Sequence, residues 1–302
     1  MFLVYSHYGI SSYLEPILKW NRSLWGDKVI FIGDVRNRDL VESCGWRFFD
    51  MDEVSISSKR SQFLYHYQDI SGKDHADFKN GRNWLQYVFE RWFLIEEIME
   101  ATGETDFFHF DSDVLITSKA GLYSVAKKLQ YTGKVTSQCN DGCMNGYINQ
   151  QVLTEFTSSI ISQFKDHELL NKYLEEFEVN TGYAFTEMRA FDNFQREKSV
   201  SHHALTLDGW ILDDCLAQSQ NFVTEVLFNG REIKKVYFRD GITSFQKITG
   251  ELVPVAALNF SWLETSYIRY AQHLISQNIH KNGLRRFRDV FYLPKYVKRR
   301  LL

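Results

Sequence analysis

The segment Phe107-Phe108-His109-Phe110-Asp111-Ser112-Asp113-Val114-Leu115-Ile116 constrains the fold most. An apolar run suited to a buried strand ends in two carboxylates two residues apart, and more aliphatic residues follow. In an extended chain residues i and i+2 point the same way, so Asp111 and Asp113 present both carboxylates to one point. Hard oxygen ligands select Mg²⁺ or Mn²⁺, and these ions complete their shells with water and substrate phosphate, so two carboxylates suffice. A strand end opening into a solvated turn produces the same tripeptide. The buried strand run and the long helical pattern upstream set this one apart, because open α/β sheets place their ligands at the carboxyl ends of strands.

The rest of the chain fits that setting. Leu3-Val4-Tyr5 and Lys28-Val29-Ile30-Phe31-Ile32 read as two parallel strands separated by a helix from Tyr13 to Trp20, a βαβ opening. Ser6, His7 and Tyr8 follow the first strand and Gly33-Asp34 the second, at the end where a nucleotide would sit. Asp34 is a candidate for the base or ribose, although Gly-Asp is also a common strand terminator. Residues 51–80 are polar and mixed and read as an irregular loop. From about 82 to 100 a helix carries Leu85, Val88, Trp92, Ile95 and Met99 on one stripe and ends at Gly103. Arg91 lies beside that stripe, and an ion pair to Asp106 or Glu96 is its structural reading. A short helix (Leu122 to Leu129), a strand (Lys134 to Cys139), a small-residue turn (Asn140 to Gly146) and a helix (Gln150 to Phe164) follow. The acids of Leu207 to Asp214 read as a solvated strand-turn pair.

Taken in order, the N-terminal strand and turn, the helix with Arg91, the Asp-Ser-Asp strand and the segment Cys139-Asn140-Asp141-Gly142-Cys143-Met144-Asn145-Gly146 resemble the DxD-bearing glycosyltransferases of the GT-A fold, over roughly residues 1–260. The resemblance implies an α/β, Rossmann-like nucleotide-diphospho-sugar sandwich with a C-terminal basic helical extension over 261–302. It implies Mn²⁺ or Mg²⁺ on Asp111 and Asp113. It puts the donor against Ser6, Tyr8, Asp34, Ser112 and Arg91, whose guanidinium suits a diphosphate. Asn140, Asp141 and Asn145 would bind sugar hydroxyls, with Gly146 and its neighbours allowing close backbone approach. Glu187 becomes the candidate base facing the acceptor, with Asp192 as the fallback; general-base help is worth about 10²- to 10⁴-fold. Near a helix start, Glu187 with Thr186 as cap is equally a capping companion. The strand Val255 to Trp262 resembles the one on which glycogenin-like retaining enzymes carry a histidine as third metal ligand, and here that position is Asn259, a weaker, uncharged oxygen.

Composition agrees with an α/β enzyme: 302 residues, 44% hydrophobic and 24% charged. Aromatic content of 16% fits a core, a sugar-stacking surface or a membrane-facing edge. Cys44, Cys139, Cys143 and Cys215 are scattered, as expected for reduced thiols, and their spacing with His202-His203 does not make a zinc site. Met1 leads straight into a strand-like run, and no apolar stretch reaches the ~20 residues a spanning helix needs, so a cytoplasmic location is expected. Charge is uneven. Lys281 to Leu302 holds eight cations against Asp289, which leaves the remainder at −10. With Leu284, Phe287, Val290, Phe291, Tyr292, Leu293, Tyr296 and Val297 interleaved at roughly helical spacing, this tail suits an anionic membrane surface or packing on the domain. The acidic remainder argues against nucleic acid.

These readings converge on a metal-dependent transferase moving a sugar, most simply from a UDP-sugar, to a hydroxyl of a glycan or lipid-linked acceptor in surface polysaccharide synthesis, peripheral on the inner membrane face. Two other classes use the same residues. A haloacid-dehalogenase-type phosphohydrolase also carries Asp-x-Asp after a strand, but there the motif opens the domain and is usually followed by Thr or Val where this chain has Leu115. A non-catalytic nucleotide-sugar-binding module would keep the donor site without turnover.

Overall fold

A computed structural model describes residues 1–75, 84–139, 141–203, 207–227, 230–239, 241–261, 263–276 and 285–286. The chain forms two compact units interleaved along the sequence: residues 1–10, 27–111 and 129–203 make the first, and 11–26, 112–128 and 204–302 the second. Asp111 is the last residue of its stretch in the first unit, and Ser112 begins a stretch of the second.

The first unit is built on a five-stranded sheet in the order Arg47–Asp50, Val29–Gly33, Leu3–His7, Asp106–Asp111, Gly146–Asn149. The first four strands are parallel and the last is antiparallel, which bears out the α/β class and the parallel opening. Leu3–His7 and Val29–Gly33 are buried almost throughout, as their continuous apolar runs require of strands covered on both faces. The helix between them, Leu14–Trp25, belongs to the second unit.

The helix Trp84–Thr102 is buried nearly all round rather than along one stripe. It packs against Gln150–Lys165 and Ser58–His66, and it ends at Gly103 with φ of 71° and an N–H donated to Glu100 O. Around it the aromatic surplus is spent: Phe63 stacks on Phe93 at 4.8 Å, Phe89 meets Phe164 edge-on at 5.0 Å, and Tyr173 stacks on Phe185 at 4.7 Å. Most of the aromatic content of this unit is therefore core. Ser58–His66 corrects the irregular loop read over 51–80. Its polar surface hides the helical period, but Ser57 caps it by accepting Arg60 N–H at 3.0 Å.

Residues 70–74 ladder with 181–185 through Gly72 N–H to Tyr183 O, Asp74 N–H to Thr181 O and Phe185 N–H to Ile70 O. A Cβ on Gly72 would lie 2.3 Å from Thr181 O, so only glycine allows this approach. The ladder fixes the segment that runs into the helix Glu187–Lys198.

The second unit is mostly antiparallel. Leu252–Asn259 lies between Ile211–Leu212 and Ile242–Gln246, Val236–Arg239 follows, and Val114–Ile116 also pairs with Leu252–Asn259. The helix Leu14–Trp25 fastens Val114–Ile116: Asn21 donates to Val114 O at 3.2 Å and accepts Ile116 N–H at 3.0 Å. Asp213 and Asp214, expected on the surface, are fully buried. Lys234, equally buried, donates to Asp213 at 2.7 Å, to Cys215 O at 2.9 Å and to Gln220 Oε1 at 2.6 Å. Within the expected C-terminal helical extension Thr265–Ser276 is a helix, and of the basic tail Arg285–Arg286 are described and form a strand on Val236–Arg239. An open sheet edge offers unpaired backbone groups that a helix-period side-chain pattern does not reveal. The rest of 277–302 lies outside the described residues. Among the described residues no helix is long and apolar enough to cross a membrane, and among them the four cysteines form no disulfide.

Candidate active site

In the five-stranded sheet the chain runs outward from Leu3–His7 to one side and returns on its other side as Asp106–Asp111, so connections diverge between these two strands. Ligands bind at the carboxyl ends of such a pair. There Ser6 lies opposite Asp111 in register. Strand alternation puts His109 and Asp111 on one face, and the i, i+4 spacing of Tyr87 and Arg91 puts both on one face of the helix Trp84–Thr102.

Arg91 is the centre of the cluster. Its Nη1 donates to Asp111 Oδ1 at 2.8 Å and its Nη2 to Glu187 Oε1 at 2.9 Å, so the partners suggested by sequence, Asp106 and Glu96, are not the ones it takes. Only 7% of Arg91 is exposed. Burial works against its charge, but Asp111 and then Glu187 more than offset that and hold the guanidinium firmly protonated. Asp111 keeps 36% of its side chain exposed. Burial would raise its carboxyl, yet the Arg91 charge takes it below the usual range.

Glu187 behaves differently. Burial pushes its carboxyl up to about 7 against the opposing pull of Arg91, and among the described residues its buried Oε2 has no hydrogen-bond partner. It opens the helix Glu187–Lys198, where the helix dipole favours an acid, but Thr186 makes no side-chain cap. Asp192 does not join this group and pairs with Arg196 at 2.7 Å along its own helix.

His109 sits 3.1 Å from Val4 O through Nδ1 and edge-on to Trp92 at 5.1 Å. Burial, aided by Arg91, drives it down to about 3, so the ring is neutral. A carbonyl partner requires the proton on Nδ1, which makes the buried Nε2 an acceptor. His7 is likewise held neutral, lowered to about 4 by burial against the opposing charges of Asp34 and Asp111. Burial raises the Tyr87 phenol and the Cys143 thiol, so both remain protonated.

Asp34 anchors a turn. It accepts Gly9 N–H at 2.8 Å and Arg36 N–H at 2.9 Å, and the Arg36 guanidinium grips both of its oxygens at 2.9 Å. Arg36 lies over the Tyr8 ring at 5.5 Å, and Tyr8 packs on Tyr87 at 5.3 Å. In the small-residue turn Asp141 has φ of 67°, accepts the Ser137 hydroxyl and precedes Gly142, whose N–H donates to Cys139 O. Gly146, with φ of 99°, pairs with His109. The neighbouring Asn145 is buried, and among the described residues its Oδ1 has no hydrogen-bond partner. Asn140 lies outside the described residues.

The remaining sequence candidates belong to the second unit. Ser112 Oγ is 3.2 Å from the Tyr13 hydroxyl, and Asp113 Oδ2 accepts the Ser261 hydroxyl at 2.9 Å. Asn259 is tied into a turn: its amide donates to Asp214 O and accepts Ser261 N–H, both at 2.8 Å. An oxygen already accepting a backbone N–H is a poor third ligand. For a divalent cation Asp111 fits: a hard oxygen donor, partly open to solvent, at a strand's carboxyl end. Among the described residues no three His, Cys, Asp or Glu side chains gather as a ligand set.

Sequence reasoning missed Tyr87, His109 and Cys143 as neighbours of the cluster. The spacings Tyr87/Arg91 and His109/Asp111 carried the signal for the first two; nothing in the sequence marked the third.

No protein-family model matches the chain, and no curated protein matches it. Solved glycosyltransferases resemble it at 10–12% identity and TM-scores no higher than 0.42. Mouse xyloside xylosyltransferase 1 in its apo form is 10% identical with a TM-score of 0.42, over 67% of this chain and 84% of that one. The galactosyltransferase LgtC with donor and acceptor sugar analogues is 12% identical with a TM-score of 0.42 over both full chains. A glycosyltransferase involved in glycosylation of the major capsid of PBCV-1 is 12% identical with a TM-score of 0.33, over 68% and 85%.

Proposed function

We propose that this protein is a glycosyltransferase that takes a nucleotide-diphospho-sugar, a UDP-sugar as the first choice, and moves the sugar to a hydroxyl of a glycan or lipid-linked acceptor. The observation that carries the reading is the Asp111–Arg91–Glu187 cluster at the carboxyl ends of the diverging strands. It joins a partly open carboxylate, a permanent buried cation and a carboxyl poised near neutrality in one place.

The Asp111-Ser112-Asp113 tripeptide is assigned Mn²⁺ or Mg²⁺, which when bound would neutralise the departing diphosphate. Arg91 adds fixed positive charge behind it. Asn145 Oδ1 accepts a hydrogen bond from a donor-sugar hydroxyl, and the Asp141–Gly142 turn brings backbone close to the same sugar. Glu187, with its upper pKa, takes the acceptor proton: the acceptor oxygen bonds to the anomeric carbon, the bond to the diphosphate oxygen breaks, and the proton passes to the carboxylate. This assignment holds for attack opposite the leaving group. The basic segment 281–302 is assigned to an anionic membrane surface, consistent with a lipid-linked acceptor in surface polysaccharide synthesis.

The test is thermal shift of the wild type and Asp113→Ala with UDP-, GDP-, CMP- and dTDP-sugars, with and without Mn²⁺, followed by transfer assays with the responding donor. Ligand at a hundredfold over Kd stabilises by ~2.7 kcal/mol. A Mn²⁺-dependent shift with one nucleotide class, lost in the variant, supports the donor site. Binding without transfer to any acceptor points to a non-catalytic module. Folded protein that responds to no donor sinks the reading.

A further inference from the structure

We infer that Arg91 is the internal counter-charge with which a divalent cation competes at Asp111, and that Glu187 sets how hard Arg91 competes. The inference rests on the cation assignment made above. A guanidinium cannot shed its proton, so one that is 7% exposed needs carboxylates wherever it sits. It has two, one on each terminal nitrogen, at 2.8 and 2.9 Å. Asp111 is the one with an open side, and Glu187 the one buried with it. A cation approaching Asp111 therefore meets a carboxylate whose charge is already matched and a fixed positive charge just behind it.

Glu187 changes the outcome of that competition. Because it holds the second arm, Arg91 stays neutralised and seated when Asp111 turns toward a cation. Without Glu187 the whole counter-charge duty falls on Asp111, and the grip on that residue tightens. Glu187 is in this sense a positioning residue for the cation, acting through Arg91 and touching no metal. Two substitutions should consequently move cation affinity in opposite directions, which a loss of packing at either position would not do.

The experiment is a Mn²⁺ titration of the full chain at pH 8 without nucleotide, read by the loss of the free-ion paramagnetic resonance signal, with Mn²⁺ thermal shifts alongside. Arg91→Met should bind Mn²⁺ at least about tenfold more tightly than wild type and gain more thermal stability from it, because the partly open Asp111 and the buried Glu187 both lose their cation. Arg91→Lys, which keeps the charge, should stay near wild type. Glu187→Gln, which keeps shape and the hydrogen bond, should bind Mn²⁺ several-fold more weakly. Mn²⁺ binding by wild type with affinity unchanged or lower in Arg91→Met, or unchanged in Glu187→Gln, overturns this inference and leaves the cation assignment standing. If Arg91→Met does not fold, the Glu187→Gln arm decides by itself. Absence of Mn²⁺ binding by every form, also when the titration is repeated with UDP added, overturns the cation assignment and this inference with it.

Discussion

Replacing Glu187 by glutamine should abolish a specific pH dependence of stability. The Glu187 carboxyl moves from its ordinary 4.5 to about 7 on folding, chiefly through burial. A difference of about 2.5 pKa units at ~1.36 kcal/mol each is about 3 kcal/mol. The sign follows from which state holds the proton. Below about pH 4.5 both states are protonated and the contribution is fully present; between 4.5 and 7 the folded protein keeps the proton that the unfolded chain has lost; above about pH 7 both are ionised and the contribution is gone. Glutamine keeps the hydrogen bond from Arg91 and cannot ionise, so subtracting the variant isolates this one group. The assay is urea unfolding of both proteins across this range, read by tryptophan fluorescence. The wild-type-minus-variant difference should fall by about 3 kcal/mol, with a maximum slope near ~1.4 kcal/mol per pH unit, and level off above about pH 7.5. A difference that stays flat with pH would mean that Glu187 is ionised throughout and that Arg91 compensates its burial fully.

Lys234→Met should cost about 3–5 kcal/mol in urea unfolding, since it takes the counter-cation from the buried Asp213 carboxylate; adding Asp213→Asn should recover part of that loss. Gly72→Ala should cost about 1–3 kcal/mol, because its Cβ would press on Thr181 O, with Tm lowered by about 2–4 °C per kcal/mol in calorimetry. Asn145→Ala should weaken binding of the responding nucleotide-sugar about 5- to 10-fold by calorimetric titration, the worth of about one hydrogen bond, while leaving affinity for the bare nucleotide unchanged.

The parallel strands were legible because burial on both faces demands continuous apolar runs, and Leu3–His7, Val29–Gly33 and Asp106–Asp111 supply them. The Gly103 stop was legible for a local reason too, its left-handed φ. Partner choice was not, because it is decided by tertiary neighbours. Arg91 has Glu96 nearby in sequence and takes Asp111 and Glu187, 20 and 96 residues away. Asp213 and Asp214 look like a solvated turn until Lys234, which arrives from a distant hairpin, is put beside them. Asn259 has the oxygen a metal wants, but the backbone N–H of Ser261 reaches it first.

A single physical condition links the legible part of the candidate site to the hidden part. The carboxyl ends of parallel strands must carry polar groups, so Ser6, His7 and Asp111 appear where a sheet reading puts them. Those groups lie beneath a helix that the core also needs, and the face of Trp84–Thr102 above them has to be polar at the same level, which is what Tyr87 and Arg91 provide. A buried arginine then requires more than one carboxylate if Asp111 is to be available to anything else. The sequence of the strand and helix thus implies a second acid without locating it, and the ladder between 70–74 and 181–185 is what delivers Glu187 to that position. Loosening that ladder, as Gly72→Ala would, should therefore impair the cluster at Arg91 before it affects the sheet.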